Sequence, residues 1–142
     1  MRCAEVMKKD VVCLAPNDSV QVAACRMREA NIGFLPICDE SGKVLGTLTD
    51  RDIAIRVAAD DRQASTCWVA EVMSPEVIAC RPADELGRAE QLMAEHQKSR
   101  MLVTDEDGFL QGVISLSDVA RLEGARRTAS TIRLVTSREA RL

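Results

Sequence analysis

This sequence predicts an α+β fold made of two tandem β-α-β-β-α repeats, and three observations carry that prediction. The first is the stretch Val44-Leu45-Gly46-Thr47-Leu48-Thr49-Asp50-Arg51-Asp52, which reads as a strand running into a helix. Thr49 and Asp52 stand three apart at the junction, the spacing of a capping box, in which a hydroxyl and a carboxylate satisfy orphan N–H groups. The second is the return of this stretch as Leu110-Gln111-Gly112-Val113-Ile114-Ser115-Leu116-Ser117-Asp118. The third is the fixed offset of 66 residues, which aligns Gly46 with Gly112, Thr49 with Ser115 and Asp52 with Asp118. One such junction can arise by chance; two at a constant offset argue for duplication.

In chain order, Glu5-Val6-Met7 opens the first repeat and Val11-Val12-Cys13-Leu14 is a short apolar strand. Pro16 and Asn17-Asp18-Ser19 break it, and Asp18 or Ser19 caps a helix from Val20 to Ala30. Val20, Ala23, Ala24 and Met27 give that helix an apolar face. Asn31-Ile32-Gly33 ends it. A second strand follows at Phe34-Leu35-Pro36-Ile37-Cys38, then a turn at Asp39-Glu40-Ser41-Gly42. The junction stretch supplies the third strand and a second helix, with Ile53 and Val57 four apart. The offset reproduces this series without a gap: Glu71-Val72-Met73, Val77, Pro82, Asp84, Met93, Glu95, Asp105-Glu106 and Gly108 fall on their counterparts.

The predicted organisation is therefore a first repeat over residues 1–57, a linker over 58–70, a second repeat over 71–123 and a basic tail over 124–142. Trp68 and Val69 of the linker are expected to pack on the following repeat. The tail carries Arg126, Arg127, Arg133, Arg138 and Arg141, with Ile132, Leu134 and Val135 as its sizeable hydrophobes, and reads as a flexible segment or short helix. Each repeat has few strands and one apolar sheet face, so it needs its twin to complete a core.

Composition narrows the function. Phe34, Phe109 and Trp68 are the only aromatic residues, so the core must be aliphatic. A net charge of −3 gives no support to nucleic-acid binding. No apolar run is long enough to span a bilayer and no signal-peptide pattern opens the chain, so a cytoplasmic location is expected. Cys3, Cys13, Cys25, Cys38, Cys67 and Cys80 are scattered without a C-x-x-C pair, which favours reduced thiols over disulfides and suggests no metal ligand set with the lone His96. There is no nucleophile–base pair, no P-loop and no dinucleotide fingerprint, so no catalytic residue is assigned.

The motifs resemble a known family. Ile32-Gly33-Phe34-Leu35-Pro36-Ile37, Gly46-Thr47-Leu48-Thr49-Asp50-Arg51-Asp52 and Gly112-Val113-Ile114-Ser115-Leu116-Ser117-Asp118 are similar to the signature of the cystathionine beta-synthase (CBS) domain, and the pair resembles a Bateman module over about residues 3 to 123. The resemblance implies a pseudo-two-fold packing of the repeats, a homodimer, and two sites in the cleft between repeats for adenosine-containing ligands such as AMP, ADP, ATP or S-adenosylmethionine. It implies that the junction Asp holds ribose hydroxyls and the Thr or Ser three residues earlier approaches phosphate. One site would use Thr49 and Asp52, the other Ser115, Ser117 and Asp118. The second repeat also resembles the last repeat of the gamma subunit of AMP-activated protein kinase, through Arg100-Met101-Leu102-Val103. That likeness places Arg100 at phosphate and adenine against Ile32 and Gly33.

Two departures bear on the sites. The second repeat has Leu102 where the first has Pro36, and Lys98 and Ser99 where the first has Ile32 and Gly33. A lysine in an apolar adenine slot is costly unless it snorkels out, which makes the Asp52 site the weaker candidate. Two functions follow: a regulatory module that senses an adenine nucleotide and modulates an unidentified protein target, or an interaction dimer with empty clefts, in which Thr49/Asp52 and Ser115/Asp118 are capping boxes alone.

Overall fold

The computed structural model describes residues 1–122 and 124–137, and Arg138 and Arg141 of the basic tail lie outside them. The chain forms two compact units, Val12–Val77 and Met1–Val11 with Ile78–Leu142. Each holds one of the repeats. The arm that precedes each repeat in sequence belongs to the other unit, so Glu5-Val6-Met7 does not open the first repeat's unit as expected.

In the first-repeat unit, helix α2 (Val20–Ala30) starts where the Ser19 hydroxyl accepts the Val22 N–H, and stops where Asn31 turns left-handed at φ 53°. It buries Val20, Ala23 and Met27, the face its spacing predicts. Strands β1 (Phe34–Cys38) and β2 (Val44–Thr49) pair antiparallel, with Phe34 opposite Thr49 and Leu35 opposite Leu48. The turn between them winds on Asp39, whose Oδ1 accepts the N–H groups of Ser41 and Lys43, and closes with Gly42 at φ 92°. The strand expected at residues 11–14 is reduced to one parallel bridge, Leu14 with Ile37. Pro36 cannot donate on that edge; its carbonyl accepts the Leu14 N–H instead.

After β2 the chain turns into α3 (Asp50–Ile53) and continues as a π-helical turn over Ala54–Ala58. Helix α4 (Val69–Val72) and Ser74, which pairs with Thr47, complete the unit. The core is aliphatic: Leu14, Val20, Leu35, Ile37, Leu48 and Val69 are at most 1% exposed. Val69 thus packs on the preceding repeat, not the following one, and Trp68 is left 57% exposed. The reason is visible at Gly46. A Cβ there would lie 2.6 Å from the Ser74 carbonyl oxygen and 2.8 Å from Met73 Sδ, so the glycine admits the Met73-Ser74 segment against β2.

The second-repeat unit follows the same plan. Helix α1 (Cys3–Val6) and Lys8 come from the N-terminal arm, and Lys8 pairs antiparallel with Val113. Strand β3 (Ala79–Cys80) runs parallel to β4 (Arg100–Thr104), which pairs antiparallel with β5 (Leu110–Ser115). Helix α5 (Leu86–His96) and helix α6 (Leu116–Leu122) match α2 and α3. Gly112 does what Gly46 does: a Cβ there would meet the Lys8 carbonyl oxygen at 2.8 Å.

This unit ends in a further helix. The basic tail forms helix α7 (Ala125–Val135), which packs on α5. Val135 is buried in the core, while Arg127 Nε and the Thr131 hydroxyl both donate to Glu90 Oε2, at 3.1 and 3.2 Å. Ile132 and Leu134 face outward, 39% and 51% exposed.

Candidate functional site

Both junctions form the capping box that their spacing predicts. In the first-repeat unit the Thr49 hydroxyl accepts the Asp52 N–H at 3.1 Å, and Asp52 Oδ2 accepts the Thr49 N–H at 2.9 Å. In the second, the Ser115 hydroxyl accepts the Asp118 N–H at 3.1 Å, and Asp118 Oδ2 accepts the Ser115 N–H at 2.9 Å. Asp52 and Asp118 are both buried, 8% and 4% exposed. A carboxylate kept charged in such a position needs donors, and each junction spends one oxygen on the cap and leaves Oδ1 toward other partners.

Those partners were not foreseen from the sequence. Asp118 Oδ1 accepts from Arg121 Nη2 at 2.6 Å, and Lys8 Nζ stands 3.8 Å away. Asp52 Oδ1 faces Arg56 Nη2 at 3.7 Å. Burial alone would raise the Asp118 carboxyl's pKa. The Ser115 N–H and hydroxyl, Arg121 and Lys8 outweigh it and hold that carboxyl below its ordinary range. Arg121 and Arg56 were legible in principle, since they lie three and four residues after the aspartates on one helical face. Lys8, more than a hundred residues away, had no local signal.

The other candidates divide between the units. Asp118, Ser115, Ser117 and Arg100 share the second-repeat unit. The Ser117 and Ser115 hydroxyls are 2.8 Å apart, and Arg100 stands opposite Ser115 in the β4–β5 register. Arg100 makes no ion pair among the described residues. Ile32, Gly33, Thr49 and Asp52 share the first-repeat unit. Ile32 packs at the edge of the core, and the Gly33 carbonyl accepts the Asp50 N–H at 3.0 Å. A Cβ on Gly33 would come within 2.6 Å of Asp50 Oδ2, so the glycine answers to that carboxylate. Lys98, at the position matching Ile32, is exposed.

Among the described residues no cluster of three or more His, Cys, Asp or Glu side chains could hold a metal ion. All six cysteines are thiols; the Cys80 thiol donates to the Leu102 carbonyl oxygen at 3.6 Å and the Cys3 thiol to the Glu85 carbonyl oxygen at 3.8 Å. The Cys38 thiol beside Cys13 lowers Cys13 to about 7, and Cys38 is itself raised. The neighbouring Cys3 and Cys80 thiols likewise shift one another, Cys80 upward and Cys3 downward.

The fold and the paired junctions define a tandem CBS protein. The CBS domain family profile matches residues 3–59 and 69–124. The CBS domain-containing protein YhcV of Bacillus subtilis is 40% identical over 116 residues, covering 82% of this chain and 81% of that protein. The crystal structure of Hypoxic Response Protein I with two coordinated zinc ions superposes with a TM-score of 0.80 at 30% identity, over 87% of this chain and all of that one. The CBS domain pair of protein MJ0100, crystallised with 5′-methylthioadenosine and S-adenosyl-L-methionine, gives 0.76 at 26% identity, over 86% of this chain and 94% of that one. The chain belongs to the CBS domain family. Its two matched segments make it a tandem CBS domain pair. Among the described residues no helix is long and apolar enough to cross a membrane.

Proposed function

We propose that this chain senses an adenosine-containing ligand of the AMP, ADP or ATP class and modulates a protein target, acting as a cytoplasmic homodimer. The observation that carries the reading is the Asp118 junction. A buried carboxylate turns Oδ1 toward Arg121 and Lys8, in the unit that also holds Ser115, Ser117 and Arg100, and carboxylate oxygens accept well from a vicinal diol. The nucleosides bound in the MJ0100 pair support the same ligand class. Thr49, Asp52, Ile32 and Gly33 form the second, weaker candidate.

Calorimetric titration with AMP, ADP and ATP tests the reading. Asp118→Ala should weaken binding by about 1.5–3 kcal/mol, roughly ten- to a hundredfold, and more than Asp52→Ala does. The cap itself contributes about 1 kcal/mol to folding, so Asp118→Asn, which keeps an accepting oxygen at the cap, is the cleaner variant. If the wild type binds no adenine nucleotide at millimolar concentration, or Asp118→Asn binds as wild type does, the aspartates are caps and the chain is an interaction module.

A further inference from the structure

The first-repeat unit brings two thiols of opposite character to one place. Leu14 and Ile37 form a parallel bridge, in which the Leu14 N–H donates to the Pro36 carbonyl oxygen and the Cys38 N–H to the Leu14 carbonyl oxygen, both at 2.9 Å. Leu14 and Ile37 are buried in the core. Side chains alternate along extended backbone, so Cys13 and Cys38, one residue to either side of the bridge, share its other face. There Cys38 is buried and Cys13 is half-exposed. Arg26 reaches this point from α2. Its Nη1 donates to the Cys13 carbonyl oxygen at 2.8 Å and stands 3.8 Å from Asp18 Oδ2. The two thiols are close enough to shift one another, Cys13 downward and Cys38 upward. At the offset positions the second-repeat unit has Ala79 and Thr104, and its own neighbouring thiols, Cys3 and Cys80, are 0% and 1% exposed.

We propose that Cys13 and Cys38 form an oxidation site, in which Cys13 reacts with hydrogen peroxide and Cys38 resolves the product to a disulfide within the chain. The Cys13 thiolate attacks one peroxide oxygen. An S–O bond forms, the O–O bond breaks, and the departing hydroxide takes up the proton that the thiol released. The products are Cys13 sulfenic acid and water. The Cys38 thiol then gives up its proton and attacks the Cys13 sulfur. An S–S bond forms, the S–O bond breaks, and hydroxide leaves and takes that proton as a second water. Two thiols lose two electrons, and one peroxide becomes two waters. The arrangement supplies what each step needs. The attacking thiol is the one open to solvent, with a cation at its own carbonyl. The resolving thiol is adjacent to it and shielded from peroxide. The disulfide closes a loop that holds all of helix α2, so oxidation tightens the first-repeat unit.

The test uses the full chain, fully reduced, freed of reductant and treated with a small molar excess of hydrogen peroxide. Peptide mapping without reduction should find Cys13 joined to Cys38 within one chain, and dithiothreitol should return both thiols. Cys38→Ser should stop at Cys13 sulfenic acid, trapped by dimedone. Cys13→Ser should leave Cys38 a thiol under the same treatment. The oxidised wild type should melt several degrees above its reduced form, a shift that both variants lose. The wild-type map requires no substitution, so it decides the matter whether or not the variants fold. Cys13 joined to Cys25 or to a second copy overturns the inference. So does Cys13 carried on to sulfinic acid while Cys38 stays a thiol, or a map in which Cys3 and Cys80 oxidise first.

Discussion

At Asp52 the carboxylate meets an arginine fastened to a backbone carbonyl; at Asp118 it meets an arginine and a lysine that reach in from solvent. The backbone around the two is nearly the same. Each aspartate closes a three-residue capping box, follows an antiparallel hairpin and sits where a glycine lets an arm of chain cross. The contrast teaches that duplication fixed the frame through groups that satisfy backbone N–H donors, while the side chains bordering it diverged in charge. Sites on such a frame are alike in what they hold rigid and different in what they attract.

The largest expected effects test the shared frame. Leu48 and Ile114 are offset equivalents, both with no exposed surface, on the inner faces of β2 and β5. Leu48→Ala and Ile114→Ala should each destabilise the chain by about 2–5 kcal/mol, read by urea unfolding. Similar costs support equivalent cores. A cost below about 1 kcal/mol at either position would show that the two sheets do not carry comparable cores.

The glycines give a smaller and more pointed pair. Gly46→Ala forces a Cβ against the Ser74 carbonyl oxygen, and Gly112→Ala forces one against the Lys8 carbonyl oxygen. Both contacts are with backbone, so neither neighbour relaxes cheaply, and each change should cost about 1–3 kcal/mol. Amide hydrogen exchange should localise the damage to the paired arm. The Thr47 and Ser74 amides should lose protection in the first variant, and those of Lys8 and Val113 in the second. Undisturbed exchange in those arms would mean that the glycines serve some other purpose.

These glycines also mark how far the sequence could be read. Strand Phe34–Cys38 and helix Val20–Ala30 emerge at their predicted ends, and strand Val44–Thr49 gives way to helix at the predicted junction, because each is bounded by a cap, a turn or a left-handed residue that acts locally. The arms were assigned to the wrong neighbours. A glycine in a strand announces that backbone approaches closely, but nothing local says which segment arrives. Val69 was therefore expected on the second repeat and is buried in the first. The same limit applies to the site. Thr49/Asp52 and Ser115/Asp118 were legible as pairs three residues apart, and Arg56 and Arg121 lay within one turn of them. Lys8 reaches Asp118 only because its arm pairs with Val113.

The smallest effect, on reactivity and not stability, compares the thiol pairs. In the first-repeat unit Cys13 is half-buried, and the neighbouring Cys38 thiol lowers it to about 7. In the second-repeat unit Cys3 is lowered by the neighbouring Cys80 but has no exposed surface. The thiolate is the nucleophile, and an ordinary cysteine thiol titrates near 8.5. A lowered pKa means more thiolate at a given pH, so iodoacetamide should modify Cys13 at a rate that rises through about pH 7 and levels off above it. Cys38 stays protonated, and Cys3 is shielded whatever its charge. Cys38→Ala should move the Cys13 rate profile up toward the ordinary thiol range. The measurement is site-resolved mass spectrometry after brief alkylation of the native chain between about pH 6 and 9. Equal early labelling of Cys3 and Cys13, or a Cys13 profile that Cys38→Ala leaves in place, would remove the distinction between the two pairs.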